Sequence, residues 1–302
     1  MAPRVSIGLA VYNGQRYLAE AVDSVLAQTC ADLELIVSDN ASTDATESIC
    51  RARAAGDQRL RYYRNRQNLG AAKNFNRAFA LSRGEYFKWM AADDVLAPEC
   101  IARCAERLDG DPAAVLAFPR VAVIDEFDNA AEKRPYRYDR LDLTSPSAGE
   151  RVRQIILHLP SISIIFGLIR ASALRRTPLF RPYVGADYCL LFDLALLGRF
   201  AEVPEYLARG RWHADSYGAK VGRLKRRGLR EGAAEARWFD PQNRGLLVMP
   251  HWRCLWEHLL SAARSRQPPA DKLGTIALLA RVANWWRREL GAELHQSARR
   301  LL

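Results

Sequence analysis

A chain of 302 residues, 49% hydrophobic and 26% charged, is long enough for one large α/β domain with an appendage or for two domains, and its composition excludes a disordered chain. The formal charge of +11 is unevenly placed: residues 201–302 hold 19 Lys and Arg against 10 Asp and Glu, which leaves 26 against 24 in the first 200. The basicity belongs to the C-terminal third and implies a surface that meets something anionic, whether lipid head groups, nucleic acid or a phosphorylated acceptor. The six cysteines form no CxxC pair and no zinc-like spacing with His, so they read as free thiols suited to a reducing cytoplasm. Cys100 and Cys104, one helical turn apart, read as packing residues. No apolar run has the length of a membrane span, and Met1-Ala2-Pro3-Arg4 leads at once into a strand-like run rather than a signal peptide.

The run 5–11 reads as a buried strand ended by Tyr12-Asn13-Gly14, after which Leu18, Ala21, Val22, Val25 and Leu26 recur at helical spacing. Residues 33–37 form a second strand that ends in Ser38-Asp39-Asn40-Ala41-Ser42-Thr43-Asp44, where Ser42 or Thr43 can cap a helix running through Ile49 and Ala52. Residues 60–63 are a short third strand, Asn68-Leu69-Gly70 a turn and 71–81 a helix. The fourth strand, 85–90, leads into Asp93-Asp94; 98–108 predicts a helix and 113–124 a strand. Residues 125–147, rich in charge, Pro and Tyr, read as an excursion, either a lid or an inert surface insertion. Alternation at this rhythm predicts a doubly wound, mostly parallel sheet with a crevice at the carboxyl ends of its strands.

Polar residues collect after successive strands: Tyr12-Asn13, then Asp39, then Asp93-Asp94. A strand cannot comfortably bury two adjacent carboxylates, because each needs a partner to offset its desolvation. At a strand's C-terminal edge they can face a crevice and hold a hard divalent cation, a receptor for a nucleotide diphosphate. The same pair also suits a turn with an Asp cap ahead of Pro98. Gly8 and Gly14 do not make GxGxxG and no GxxxxGK[ST] occurs, which argues against dinucleotide dehydrogenases and P-loop enzymes.

Residues 4–216 resemble the family 2 glycosyltransferases, inverting enzymes of the GT-A fold. The resemblance rests on motifs in order: Val5-Ser-Ile with Val11-Tyr-Asn-Gly14, Ile36-Val-Ser-Asp-Asn-Ala-Ser-Thr-Asp44, Asn68-Leu-Gly70 with Asn76, and Gly84-Glu-Tyr ahead of Ala92-Asp-Asp94. Gly185-Ala-Asp-Tyr188 with Leu197-Gly-Arg-Phe200, then Arg211-Trp-His213, complete the series. The resemblance implies a metal-dependent, inverting transfer of a hexosyl or related sugar from a nucleotide-diphosphate sugar to a hydroxyl of a glycan or lipid-linked saccharide. Tyr12 and Asn13 would line the nucleotide pocket, and Asp39 would bond the base; a carboxylate accepting an N–H suits a uracil-like ring, so UDP is favoured over GDP or dTDP. The alternative for Asp39 is that it simply caps its own loop. Lys73 or Asn76 would hold nucleotide or sugar, or lie on a solvated helix face. Asp93 and Asp94 match the acidic motif that binds manganese or magnesium, although many relatives carry a further Asp where this chain has Ala91. Asp187 would be the general base that takes the acceptor's proton, as an alternative to a helix cap. Asp193 competes for that role but lies within a helix, where an ion pair suffices. Arg211 and His213 alternate about Trp212, would approach the diphosphate together, and His213 would complete the metal shell unless it is an ordinary packed histidine. Trp212 and Trp89 read as packing residues.

This reading divides the chain into a catalytic domain, 1–217, and a basic, mainly helical region, 218–302. The latter holds a basic run at 220–230, a helix over 246–260 and an apolar helix over 273–290 that ends in Trp285-Trp286-Arg287-Arg288. Aromatics beside arginines at a helix end suit an anionic membrane surface, which would place the protein in the cytoplasm, peripheral at the inner face of the membrane. They equally suit a subdomain packed on the body or on a second copy in a homo-oligomer. No nucleic-acid module accompanies the charge. Two further readings are a nucleotidyltransferase, which lacks its Gly-rich, Lys-containing loop here, and a nucleotide-sugar-binding protein without activity, to which Ala91 lends weight.

Overall fold

Eight strands make the sheet. In the computed structural model, which describes residues 2–130, 141–216, 219, 233–242 and 249–301, these are β1 (Val5–Val11), β2 (Leu33–Asp39), β3 (Leu60–Arg64), β4 (Tyr86–Ala91), β5 (Val95–Leu96), β6 (Ala114–Ile124), β7 (Leu168–Arg170) and β8 (Arg199–Arg211). They form one sheet in the order β3-β2-β1-β4-β7-β6-β8-β5. The near-continuous apolar runs of β1, β2 and β4 are buried on both faces, as a parallel sheet covered on two sides requires. Leu9 of β1 stands between Val37 of β2 and Met90 of β4, all parallel. The far half is mixed: β7 runs antiparallel to both β4 and β6, β6 and β8 are parallel, and β5 is antiparallel to β8. The expected doubly wound, mostly parallel sheet is therefore present, with antiparallel strands added at one side.

Helices α1 (Leu18–Leu26) and α4 (Cys100–Gly110) cover one face around Leu18, Val22, Ile101 and Leu108, and Cys50 of α2 (Thr46–Gly56) joins that core. On the other face α3 (Ala71–Ala80), α5 (Ala148–His158), the four-residue α6 (Ala171–Leu174) and α7 (Ala186–Leu197) pack around Trp89, Phe192 and Phe200. Gly8 serves this packing: a Cβ there would sit 2.5 Å from the Phe87 ring and 3.0 Å from Ala78, so α3 could not close on the sheet. Beyond β8 lie α8 (Ala233–Phe239), α9 (Pro250–Arg264), α10 (Pro269–Trp285) and α11 (Arg287–Leu301). α8 packs on α3, α9 on α7 and α10 on α5. The basic run 220–230 and residues 131–140 of the charged excursion lie outside the described residues.

Three local expectations are corrected. Asp93-Asp94 caps no helix, because the short β5 intervenes before α4. The first turn of α2 is served by Asp44, whose Oδ1 accepts from Thr46 N at 3.0 Å, while Ser42 Oγ accepts from Asn13 N at 2.8 Å instead. The apolar helix at 273–290 ends at Trp285, and the chain restarts as α11 with Trp286 between them; Trp286 packs edge-on to His251 while Trp285 is exposed.

Candidate functional site

After β3 the chain returns through α3 to place β4 on the opposite side of β1, so the loops after β1 and β4 diverge at a topological switch point. Tyr12-Asn13 and Asp93-Asp94 are those two loops. β5 and β8 bring the third component, because Ile124 and Arg211 pair at the end of the β6–β8 ladder and Trp212 N donates to Ile124 O at 2.8 Å. His213 then lies with Nε2 2.9 Å from Asp93 Oδ2. Its ring stands 4.9 Å from that of Tyr17, whose hydroxyl is buried without a partner. The Asp94 carboxylate accepts the Arg211 backbone N–H at 3.1 Å, and burial first, the Asp93 charge second, push it up to about 7.

Arg211 is not in the cleft. Its side chain is 1% exposed and runs beneath the acidic turn. There it donates to the carbonyls of Asp93 (3.1 Å) and Asp125 (3.2 Å), and pairs with Glu20 and Asp128 at 2.7 Å each. The guanidinium also sits 4.6 Å from the Tyr17 ring centroid. Alternation about Trp212 does put Arg211 and His213 in register along the chain. The ladder ends between them, so one is locked under the turn and the other meets Asp93.

On the β1–β2 side, Tyr12 is half exposed, and Asn13, at φ 53°, accepts the Thr43 backbone N–H at 2.8 Å. Asp39 is fully buried: Oδ1 accepts from Ser42 N at 2.9 Å, and Oδ2 from Tyr62 at 2.5 Å and Arg64 at 3.2 Å. An incoming base N–H would compete with Tyr62 and Arg64 for that oxygen. Beneath this loop runs a polar layer that sequence reasoning missed. Asn74 accepts from Ser38 Oγ (2.7 Å) and Asn65 (2.9 Å), Asn65 also donates to Asn40 (3.0 Å), and Asn40 donates to Asn68 (2.8 Å). Its four asparagines, one after β2, two between β3 and α3 and one within α3, were its only signal, because hydrogen-bonded amides of this kind define a backbone rather than a motif.

Asn76 is engaged by the backbone of Phe180. Its carboxamide donates to Phe180 O at 2.7 Å and accepts from Phe180 N at 3.1 Å, and Phe180 packs on Trp89 and Phe75, so α3 anchors the segment that leads to α7. Lys73 is half exposed, 3.8 Å from Asp240 at the end of α8. Asp187 lies in the first turn of α7, after Gly185 at φ 88°, and its Oδ1 accepts the Tyr188 N–H at 2.9 Å. A Cβ at Gly185 would meet Cys254 Sγ at 2.6 Å, so close packing against α9 as well as backbone conformation calls for glycine. Asp193, the competing base, faces α9 instead, and its carboxyl is pushed up to about 6, burial first, with Ser261 and Arg181 opposing the rise and Glu257 adding to it.

Among the described residues no three His, Cys, Asp or Glu side chains converge in a way that could hold a metal on their own. Asp93 with His213 supplies two adjacent donors, the number that a magnesium- or manganese-type ion takes when a substrate diphosphate supplies others. The donor set fits a cation that arrives with a diphosphate rather than a caged resident ion.

Residues 6–177 match the family model described as Glycosyl transferase family 2. The chain belongs to that family. An uncharacterized glycosyltransferase of Rickettsia typhi is 32% identical over 167 residues, 53% of this chain and 51% of that protein. Another from Haemophilus influenzae is 27% identical over 217 residues, 70% of this chain and 67% of that one. The chain therefore spans about half the length of the Rickettsia relative. Among solved structures, S. aureus TarS 1-349 in complex with UDP-GlcNAc shares the fold with a TM-score of 0.69 at 14% identity, over 99% of this chain and 82% of that one. The mannosyltransferase PcManGT from Pyrobaculum calidifontis, in complex with GDP-Man and Mn2+, gives 0.54 at 21% identity over 99% and 86%. At such identities the likeness is one of fold, and it confirms the GT-A architecture.

Proposed function

We propose that this glycosyltransferase family member transfers a sugar from a nucleotide-diphosphate sugar to a hydroxyl of a glycan or lipid-linked saccharide, with inversion and with a divalent cation. One observation carries the reading: Asp93 and His213, 120 residues apart in sequence, meet at 2.9 Å at the switch point beside Tyr12-Asn13. Structural relatives that bind UDP-GlcNAc and GDP-Man with Mn2+ support the donor class. Asp93 and His213, with Asp94 behind them, would hold the ion, which when bound would supply electrophilic compensation for charge developing on a departing diphosphate. The residues of the chain do the rest. Tyr12 and the Asn13 loop bind the nucleotide, Asp39 offers its carboxylate to the base, and Lys73 stands at the rim. Asp187, presented on the rigid start of a buried helix, removes the acceptor proton as its oxygen attacks the anomeric carbon. Residues 1–217 form the catalytic unit in this reading, and the basic helices after it hold the enzyme at an anionic membrane surface, where a lipid-linked acceptor lies.

A thermal-shift screen of UDP-, GDP- and dTDP-sugars with and without Mn2+ tests the donor claim. The expected result is a rise in Tm for at least one donor, larger with Mn2+ and abolished by Asp93→Ala. No shift from any donor in either condition would overturn it.

A further inference from the structure

A cavity of about 400 Å³ opens where β6 and β8 begin, at the end of the sheet opposite Asp93. β6 runs eleven residues and β8 thirteen before they reach Ile124 and Arg211, so roughly 30 Å separates the cavity from the transfer site. Four arginines line it: Arg151, Arg170, Arg176 and Arg199.

Their charges are poorly compensated. Arg151, on α5, is 5% exposed, and its guanidinium donates only to carbonyls, those of Ala195 (2.9 Å), Ser145 (2.6 Å) and Pro146 (3.0 Å). Arg170 donates to the carbonyls of Ala114 (2.8 Å) and Leu108 (2.6 Å), with Glu85 a distant 4.0 Å away. Arg199 reaches Asp111 at 3.5 Å, and Arg176 makes no ion pair among the described residues. A buried guanidinium bonded to carbonyls alone keeps its charge without a counter-charge, an arrangement that desolvation penalises unless an anion completes it. Burial, and then the nearby Arg199 charge, hold the Arg151 guanidinium below its ordinary value, with the Asp142 charge opposing them only in part. The guanidinium fork matches tetrahedral oxyanions through paired N–H donors. Pro112, Pro146 and Leu197 add apolar wall, and the volume exceeds that of a bare phosphate, which leaves room for a carbon skeleton.

We propose that this cavity is a second ligand site that binds a phosphomonoester group, separate from the sugar-transfer site and independent of how that site works. The phosphate can be carried by a soluble metabolite or by a lipid head group, and the experiment distinguishes the two. Calorimetric titration of the full chain with inorganic phosphate, at ionic strength matched with chloride, is expected to show saturable binding. Arg176→Glu, at an exposed position, and Arg199→Gln should each weaken it at least tenfold without lowering Tm in the absence of phosphate. Asp93→Ala should leave it within twofold, and UDP should not compete. Phosphate indistinguishable from chloride, unchanged affinity in Arg176→Glu, or displacement by UDP would each overturn the proposal. Co-sedimentation with phosphatidylcholine vesicles carrying phosphatidic acid, lost in Arg176→Glu, would place the phosphate on a lipid. Phosphate binding without such Arg176-dependent retention would place it on a soluble molecule.

Discussion

Replacing Arg211 by Ala separates a structural role for this residue from contact with the diphosphate. The side chain ties three stretches of chain to the end of β8: α1 through Glu20, the acidic turn through the Asp93 carbonyl, and the segment after β6 through the Asp125 carbonyl and Asp128. Glu20 and Asp128 are 40% and 50% exposed, so both recover water when the arginine goes and contribute at most about 1 kcal/mol each. The two carbonyls lose charge-assisted bonds worth about 1.5 kcal/mol each. Loss of the guanidinium stacked on Tyr17 adds about 0.5 kcal/mol. The expected destabilisation is about 3–5 kcal/mol in the ligand-free protein, a fall in Tm of roughly 5–8 °C for a chain of this size. Arg211→Lys retains the charge but not the fork, and should lose about half as much. Urea titration followed by tryptophan fluorescence, with Trp212 adjacent, measures it. If Arg211→Ala stayed within 1 kcal/mol of the parent while losing donor affinity, Arg211 would be a diphosphate ligand and its placement under the turn would be wrong.

Burial pushes Asp193 up to about 6, so the folded state binds its proton more tightly than the unfolded chain does. The stability this gives is fully present below about pH 4 and is lost as pH rises through 6, by at most about 3 kcal/mol. Asp193→Asn should therefore gain urea resistance over the parent at pH 7.5 and lose that advantage at pH 4.5; a difference constant with pH would refute the assignment. Gly185→Ala combines φ 88° with a 2.6 Å clash against Cys254 Sγ and should cost about 2–4 kcal/mol, of which Cys254→Ala recovers only the packing part in a double-mutant cycle. Additive effects of the two substitutions would contradict the contact. Trp256 and Trp285 are 56% and 63% exposed, and replacing both by Ala should reduce co-sedimentation with anionic vesicles at low salt by more than half. Equal retention of parent and variant would leave the basic helices no membrane role.

Much of the fold was legible because β1, β2 and β4 are continuous apolar runs separated by helices of clear period, and each ends in polar residues that can face a crevice. The resemblance to the family rested on those same loops. β7 was hidden because Leu168-Ile169-Arg170 is the tail of an apolar stretch that also contains the end of α5 and a 3-10 turn. β8 was hidden because its bulges break the alternation by which a strand is read. The roles of Arg211 and Asn76 were beyond sequence for another reason: their partners, Glu20 and Phe180, lie 191 and 104 residues away. An arginine and an asparagine in motif positions look the same whether they meet a ligand or hold the loop that does. Tyr17, half-buried between His213 and Arg211, carried no signal beyond being an aromatic near a helix start.

The central claim is that Asp187 is the base and Asp93 part of the donor–metal station, and the slow hydrolysis of a bound nucleotide sugar, with water as acceptor and Mn2+ present, tests both at once. The account predicts that Asp187→Asn lowers the rate at least about 100-fold while donor affinity is retained, and that Asp93→Ala loses affinity and rate together. Parent-like hydrolysis by Asp187→Asn, or unchanged Mn2+-dependent binding by Asp93→Ala, would contradict it.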